Sequence, residues 1–522
     1  MPSSAQYEEK QAREFSRVTD HSALWKARNW MWLGLAMVLF LFANGANSIA
    51  IAAWLAPVFF LRFVREESAA LGLPVTYLAL TAGFAFQFRG MVPIPGIGYY
   101  IFLLLYGLPL VFPYALDRLL HRRLHGLSGT LLFPCAWAFA EYLVSRGPFA
   151  SWGSAAYSQY GNLALLQLLS VTGLWGVVFL IGWFASVCNY VWEQGLDSRE
   201  ARRGAWLFAA TFCAVVLLGG ARLSVFPPTS QTVRVASLSR RRLEPQLSDA
   251  VAQRMFAGKA TNDDLGVIRS WAAAIEDDLL TRAEREMKAG AKIVFWGEAN
   301  APVLKDAEPA FVSRGAALAS KYNVYLGMAL GVLNQGQERP IENKLVLIQP
   351  DGRVAWEYHK AHPVPGPDAA VQFRGDGKLR ELDTPYGRLS SIICFDGDFP
   401  QLLAQAGILR ADVVLDPSND WREIDPWHTQ MASFRAIEQG FHLIRHTSQG
   451  LSAAFDYQGR RLAAMDHYQT AEYSMVSEVP TKGTRTIYSM LGDWFAWVCF
   501  VALGALTWRA LGSGRAEREV DS

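Results

Sequence analysis

Cysteine is scarce in this 522-residue chain, and its five copies are unevenly placed. Cys135, Cys188, Cys213 and Cys499 fall inside long apolar stretches, and Cys394 stands alone in the polar middle of the sequence. That middle part therefore holds no disulfide framework. Its lone thiol is either a small buried hydrophobe or a group kept for its reactivity. Charge is thin as well: 18% of residues are Asp, Glu, Lys or Arg, where soluble domains carry about a quarter. A net charge of +2, with no basic run outside the apolar flanks, argues against a nucleic-acid partner. A glycine-rich phosphate loop is missing, and the nine histidines are scattered rather than set at metal-ligand spacing. The usual signals of nucleotide or zinc chemistry are thus absent.

What is abundant is apolar surface. Hydrophobic residues make up 51% of the chain, with 18 tryptophans. They crowd into residues 29–226 and 492–511, whereas 228–485 reads as an ordinary soluble domain. Crossing roughly 30 Å of hydrocarbon takes about 20 mostly apolar residues. Eight stretches qualify, at about 29–47, 49–64, 73–90, 98–116, 127–145, 163–190, 205–226 and 491–511. Three regions follow: 1–227, a tail with seven transmembrane helices; 228–485, the extracytoplasmic insert; and 486–522, a last span and tail.

Arginine and lysine orient the spans. One set of loops carries Lys10, Arg13, Arg17, Lys26, Arg28, Arg62, Arg65, Arg118, Arg122, Arg123, Arg199, Arg202 and Arg203, and the opposite set only Arg89 and Arg146. The bias places both termini in the cytoplasm and residues 228–485 outside it. Glu141 within a span is a functional candidate or a paired interfacial group. Trp421 and Trp427 read as interfacial anchors. The Arg240–Arg242 run reads as an exposed charge cluster at a strand end.

The insert alternates strands and helices. Strands are expected at 233–239, 292–296, 322–332, 389–395, 412–416, 441–447 and 451–456, and helices at 263–289, from about 399, and at 426–439. Pro350-Asp351-Gly352 and Asp456-Tyr457-Gln458-Gly459 mark hairpin turns. Mixed βαβ units and hairpins indicate a layered α/β sandwich. Glu298 then sits at one strand end, Cys394 near another, and Lys360 just beyond a third, where functional groups of open α/β folds gather. The helix after Cys394 offers a dipole that favours a thiolate. A thiol becomes a good nucleophile beside a base, the part Glu298 fits, and a lysine there can hold an oxyanion.

The order and context of these residues resemble the nitrilase, or carbon–nitrogen hydrolase, superfamily. Within it, the chain is similar over nearly its full length to the apolipoprotein N-acyltransferase family. The carrying motifs are Phe295-Trp296-Gly297-Glu298, Tyr358-His359-Lys360 with Val364-Pro365, Ile393-Cys394-Phe395-Asp396, Ser418-Asn419-Asp420-Trp421, and Gln430-Met431 through Arg435-Ala436-Ile437-Glu438 to Arg445. Ala136-Trp137 to Glu141 and Val171 to Gly176 extend the likeness into the spans.

The resemblance implies an αββα sandwich fused to a bundle of about eight membrane helices. It implies a Glu298–Lys360–Cys394 triad and an acyl chain passing from a phospholipid, through a Cys394 thioester, to the α-amine of a diacylglyceryl lipoprotein. No metal or soluble cofactor is implied, and the setting is a bacterial inner membrane. Asp368, Phe395, Asp396 and Trp421 take supporting places. The sequence departs from the family at Phe395, where Tyr is usual, and at Asp368 and Asp396, where Glu is commoner. Arg240–Arg242 and Arg422-Glu423 also alter loops. A related acyltransferase or amidase with another acceptor, and a non-catalytic membrane scaffold, are the alternative readings.

Overall fold

A computed structural model describes residues 27–241 and 246–520. Lys10, Arg13, Arg17, Lys26 and Arg242, used above, lie outside the described residues.

The membrane part begins with α1 (Ala27–Leu41) and α2 (Ala50–Glu66), followed by α3 (Ala69–Gln87), α4 (Ile97–Leu120) and α5 (Leu127–Val144). Two short helices, α6 (Leu163–Leu166) and α7 (Leu169–Thr172), precede the long α8 (Leu174–Gln194) and α9 (Arg199–Val225). Among the described residues six helices are long and apolar enough to cross a membrane: α3, α4, α5, α8, α9 and a C-terminal helix given below. Of the eight expected spans, the first two form the shorter α1 and α2; at 1.5 Å per residue, the 17 residues of α2 reach about 25 Å.

The stretch 163–190, expected as one span, is broken. Gly173 adopts φ +64 between α7 and α8, and any side chain there would collide with the Tyr488 ring. An apolar run hides such a break because α6 and α7 bury their faces on α9 and the soluble domain rather than in lipid. At the far end of the bundle, a buried Arg65–Asp117 pair at 2.7 Å meets the demand that charge in a membrane be paired.

The insert opens with β1 (Thr232–Leu238), α10 (Asp249–Phe256) and α11 (Asn262–Lys288), then β2 (Ile293–Trp296) and β3 (Ala301–Leu304). After α12 (Glu308–Tyr322) come β4 (Tyr325–Leu333), β5 (Ile341–Ile348), β6 (Val354–His359), α13 (Pro367–Val371), β7 (Glu381–Thr384) and β8 (Gly387–Ser391). Next are α14 (Pro400–Ile408), β9 (Val413–Asn419), α15 (Trp427–Gln439), β10 (His442–Ser448), β11 (Leu451–Phe455), β12 (Arg461–Asp466) and β13 (Ser474–Pro480). The short α16 (Ile487–Leu491) leads to the C-terminal α17 (Trp494–Val520).

These strands form two stacked sheets. One runs β13-β1-β2-β4-β5-β6 with β3 also on β4, and the other β12-β11-β10-β9-β8-β7. Their inner faces make one apolar core that includes Val235, Phe295, Leu326, Leu415 and Ile444. Gly327 allows the closest approach: a Cβ there would lie 2.9 Å from Phe295 and 3.9 Å from Leu415 of the other sheet. With α11 and α12 against one sheet, α15 against the other, and Leu402, Leu403 and Ala406 of α14 in the same core, the expected α/β sandwich is observed.

The α15 side rests on the membrane bundle. Trp427, Met431, Phe434 and Ile437 share one buried cluster with Trp152, Tyr157 and Trp175. Trp427 is 1% exposed and its ring lies 4.8 Å from that of Trp152. It is thus a joint between the two parts rather than the lipid-facing anchor expected. Glu438 accepts from Leu174 N at 3.0 Å, and Ser151 donates to Asp398 O at 2.7 Å. The α7–α8 break therefore lies at this joint.

Candidate active site

Glu298 occupies a gap. β2 and β3 both pair with β4, end to end, and residues 297–300 form the interruption between them. Its backbone N donates to Ser418 O of the opposite sheet at 3.2 Å. Ala299, at φ +48, turns the chain sharply at this point. The side chain is 5% exposed and accepts two bonds at 2.6 Å, from Lys360 Nζ and from Asn343 Nδ2. Asn343 also donates to Gln372 Oε1 at 3.2 Å. Sequence reading missed Asn343: an Asn inside a strand has no local signal, and only the β5–β6 register brings it beside Lys360, whose N donates to Asn343 O.

Lys360 follows β6 and is 1% exposed. Burial alone lowers an ammonium pKa, but Glu298, Cys394 and Asp368 outweigh it and hold Lys360 above its ordinary value. Lys360 is therefore a fixed cation at neutral pH. Asp368, on α13, is pushed up by burial against the pull of Lys360.

Cys394 differs from expectation. The strand expected through 395 ends at Ser391, and Cys394–Asp398 forms a 3₁₀ turn. Cys394 itself adopts φ +52, a conformation that strains a non-glycine residue by roughly 1–3 kcal/mol. The strain is held from below. Cys394 N donates to Asp416 Oδ1 at 2.8 Å, and Arg445 Nη1 clamps Asp416 Oδ2 at 2.6 Å. Arg445 Nη2 reaches Asp420 Oδ1 at 3.0 Å. His428 stands between Asp420, at 2.8 Å, and Asp398, at 3.3 Å. Burial and Arg445 lower the imidazole pKa, but the two carboxylates prevail and His428 is pushed up to about 9. Asp420, despite burial, is drawn down to about 2 by Arg445 and His428.

The thiol moves the other way. Burial first, then the Glu298 charge, push Cys394 well above its ordinary value, against Lys360 and Arg445. The thiolate expected from a helix dipole is thus overridden by desolvation. The resting site pairs a thiol with an ammonium, and the thiol must lose its proton as it reacts.

The supporting residues fall into two groups. Asp396 ties the Cys394 turn to the Lys360 loop: it accepts from Tyr358 OH at 2.8 Å, His362 N at 2.8 Å, Ile393 N at 3.2 Å and Ala361 N at 3.3 Å. Phe395 and Trp421 face the membrane bundle. Phe395 is buried in the bundle's apolar cluster, and Trp421 Nε1 donates to Gly90 O at 2.8 Å.

Two clefts meet at Glu298, Ala299, Asn419 and Gln449. One, of about 340 Å³, is lined by Lys360, Asp368, Val364, Trp421 and the bundle residue Pro93. The other, of about 400 Å³, is polar and includes Arg240, Arg241, Asn300 and Ser448. Donor atoms of Cys394, Asp420 and His428 lie within 4.8 Å of one another. Arg445 Nη2 stands 2.8 Å from His428 Nδ1 and 3.0 Å from Asp420 Oδ1, so a cation already occupies this corner and these residues do not fit a second.

Comparison with known proteins matches this architecture. The apolipoprotein N-acyltransferase N-terminal domain model matches residues 25–187, and the carbon–nitrogen hydrolase model matches residues 250–479. An apolipoprotein N-acyltransferase of Geobacter metallireducens is 26% identical over 72% of this chain and 73% of its own. That of Bradyrhizobium diazoefficiens is 27% identical over 73% of each. An amidase from Nesterenkonia sp. has a TM-score of 0.38 and 17% identity, covering 49% of this chain and 92% of the amidase. The chain thus joins an apolipoprotein N-acyltransferase N-terminal domain to a carbon–nitrogen hydrolase domain, and it is a multi-pass membrane acyltransferase.

Proposed function

We propose that this enzyme transfers an acyl chain from a phospholipid, through a Cys394 thioester, to the α-amine of the diacylglyceryl-cysteine of a lipoprotein. Glu298, Lys360 and Cys394 carry the chemistry, and Asp368, Phe395, Asp396 and Trp421 support it. One observation bears most of the weight: a buried Glu298–Lys360 pair, electrostatically coupled to a lone thiol, lines a cleft whose wall includes the membrane bundle.

In the first half-reaction, the Cys394 proton passes to Glu298 as sulfur attacks the ester carbonyl. The oxyanion forms against the Lys360 ammonium. Collapse breaks the ester C–O bond, and the lysophospholipid oxygen takes the proton from Glu298. In the second, the amine attacks the thioester, Glu298 accepts its proton, and collapse forms the amide and returns the thiol. Both substrates are lipids, which explains why residues 228–485 form the catalytic insert between spans in 1–227 and 486–522. The arginine bias of the short loops supports cytoplasmic termini and a catalytic domain on the periplasmic side of a bacterial inner membrane.

The test supplies purified enzyme with phospholipid and a diacylglyceryl lipopeptide, and reads the product by mass spectrometry. A hydroxylamine-resistant acyl group on the peptide N-terminus is expected. Release of free fatty acid alone, with the peptide unchanged, contradicts the acceptor assignment.

A further inference from the structure

A separate cleft of about 600 Å³ opens where the end of α5 meets the soluble domain. Its lining brings Arg146, Arg339 and Arg374 together with His362, and among the described residues no Asp or Glu lines it. The three arginines come from remote segments: one just past α5, one between β4 and β5, and one after α13. Arg374 Nε donates to Ala361 O at 3.1 Å. Arg146 stacks on Tyr142, 4.8 Å from the ring centre, and pairs with Asp493 at 2.9 Å. Arg339 makes no ion pair or side-chain hydrogen bond with any described residue. Arg146 is met by Asp493, but Arg339 and Arg374 have no ion pair with a described residue, and their positive field suits an outside anion.

Its depth indicates which anion. Arg146 follows the last turn of a membrane-length helix. Tyr142 packs on Trp175 and Trp497, with ring centres 5.5 and 5.8 Å apart, and such aromatic residues gather at headgroup level. A cleft of about 520 Å³ at the opposite end of the bundle makes the contrast. It is lined by Arg28, Arg62, Arg65 and Arg122, but also by Glu66 and Glu193, which pair with three of those arginines. Three of the four arginines there are therefore already paired within the protein.

We propose that the acid-free cleft binds the phosphodiester of a membrane phospholipid. Arg339 and Arg374 supply guanidinium forks, and Arg146 closes the membrane-side rim. The cleft lies outside the acyl-transfer chamber but shares a wall with it: Pro365 lines both. His362, on the same loop, stacks on Phe399 at 3.6 Å and lies 3.1 Å from Asp396. A bound headgroup therefore rests on the loop that follows Lys360. This binding requires the membrane arrangement but not the acyl-transfer chemistry.

Native mass spectrometry of the full chain in detergent, titrated with phosphatidylglycerol, tests the proposal. Arg339→Glu reverses the charge at an exposed loop position that has no ion-pair or side-chain hydrogen-bond partner among the described residues. Its affinity for phosphatidylglycerol is expected to fall about tenfold or more, as loss of one charge-assisted contact implies. Arg339→Gln with Arg374→Gln is expected to fall further, while binding of diacylglycerol, which lacks phosphate, stays unchanged. Wild-type affinity in Arg339→Glu overturns the proposal. Displacement of phosphatidylglycerol by millimolar inorganic phosphate also overturns it, because the cleft is then a free-anion site.

Discussion

Replacing Glu298 with Gln isolates the proton transfer that the proposed chemistry requires. The amide is isosteric and its oxygen still accepts from Lys360 Nζ and Asn343 Nδ2, both now at 2.6 Å, so the site's shape is retained. What disappears is the base. The Cys394 thiol is held well above its ordinary value, by burial first and Glu298 second, so few molecules carry a thiolate at pH 7.5. Removing the carboxylate relieves only the smaller cause. General-base assistance of this kind is worth about 10²- to 10⁴-fold, or roughly 3–5 kcal/mol of barrier. Single-turnover acylation of Glu298→Gln by phospholipid, followed by intact mass, is therefore expected to fall by about that factor. The residual rate should rise with pH, close to tenfold per unit between about pH 7 and 9, because hydroxide must replace the lost base. A rate within about threefold of wild type, or a pH-independent residual rate, refutes the reasoning.

Further expectations follow from the neighbouring residues. Asn343→Ala removes the carboxamide that fixes Glu298; kcat should drop about ten- to a hundredfold through misplacement with KM for phospholipid unchanged, and a change confined to KM contradicts the positioning role. His428 titrates at about 9 in the folded protein against about 6.5 unfolded. Its contribution, about 3 kcal/mol, is present in full below pH 6.5 and lost as pH rises through 9. Thermal unfolding of wild type should thus weaken across that window and that of His428→Gln should not; parallel profiles contradict it. Trp427→Ala empties the joint with Trp152 and should cost about 3–5 kcal/mol, seen as a lower Tm in detergent; an unchanged Tm would show the joint carries no load.

The sequence made much of this molecule legible, and the exceptions share a cause. Strands such as Thr232–Leu238 and Ile293–Trp296 follow from short-range alternation and turn residues, which are local signals. Glu298, Lys360, Cys394 and Asp396 stand in local motifs, so their clustering was anticipated. The strained turn at Cys394 was hidden because Ile392-Ile393-Cys394-Phe395 reads as an ordinary apolar strand, and its bend depends on Asp416, 22 residues away. Of the Asp398–His428–Asp420–Arg445–Asp416 network, Asp420 and Arg445 stand in motifs, but Asp398, His428 and Asp416 are unremarkable polar residues until β9, β10 and α15 are packed. The break at Gly173 escaped because hydropathy reports what a segment avoids, water, and not whether lipid or protein covers it.

Intact mass spectrometry of the enzyme incubated with phospholipid alone tests the central claim most directly. The account predicts one acyl mass on the wild-type chain, released by neutral hydroxylamine, and none on Cys394→Ala. An adduct that persists in Cys394→Ala, or no adduct on a folded wild-type chain, contradicts it.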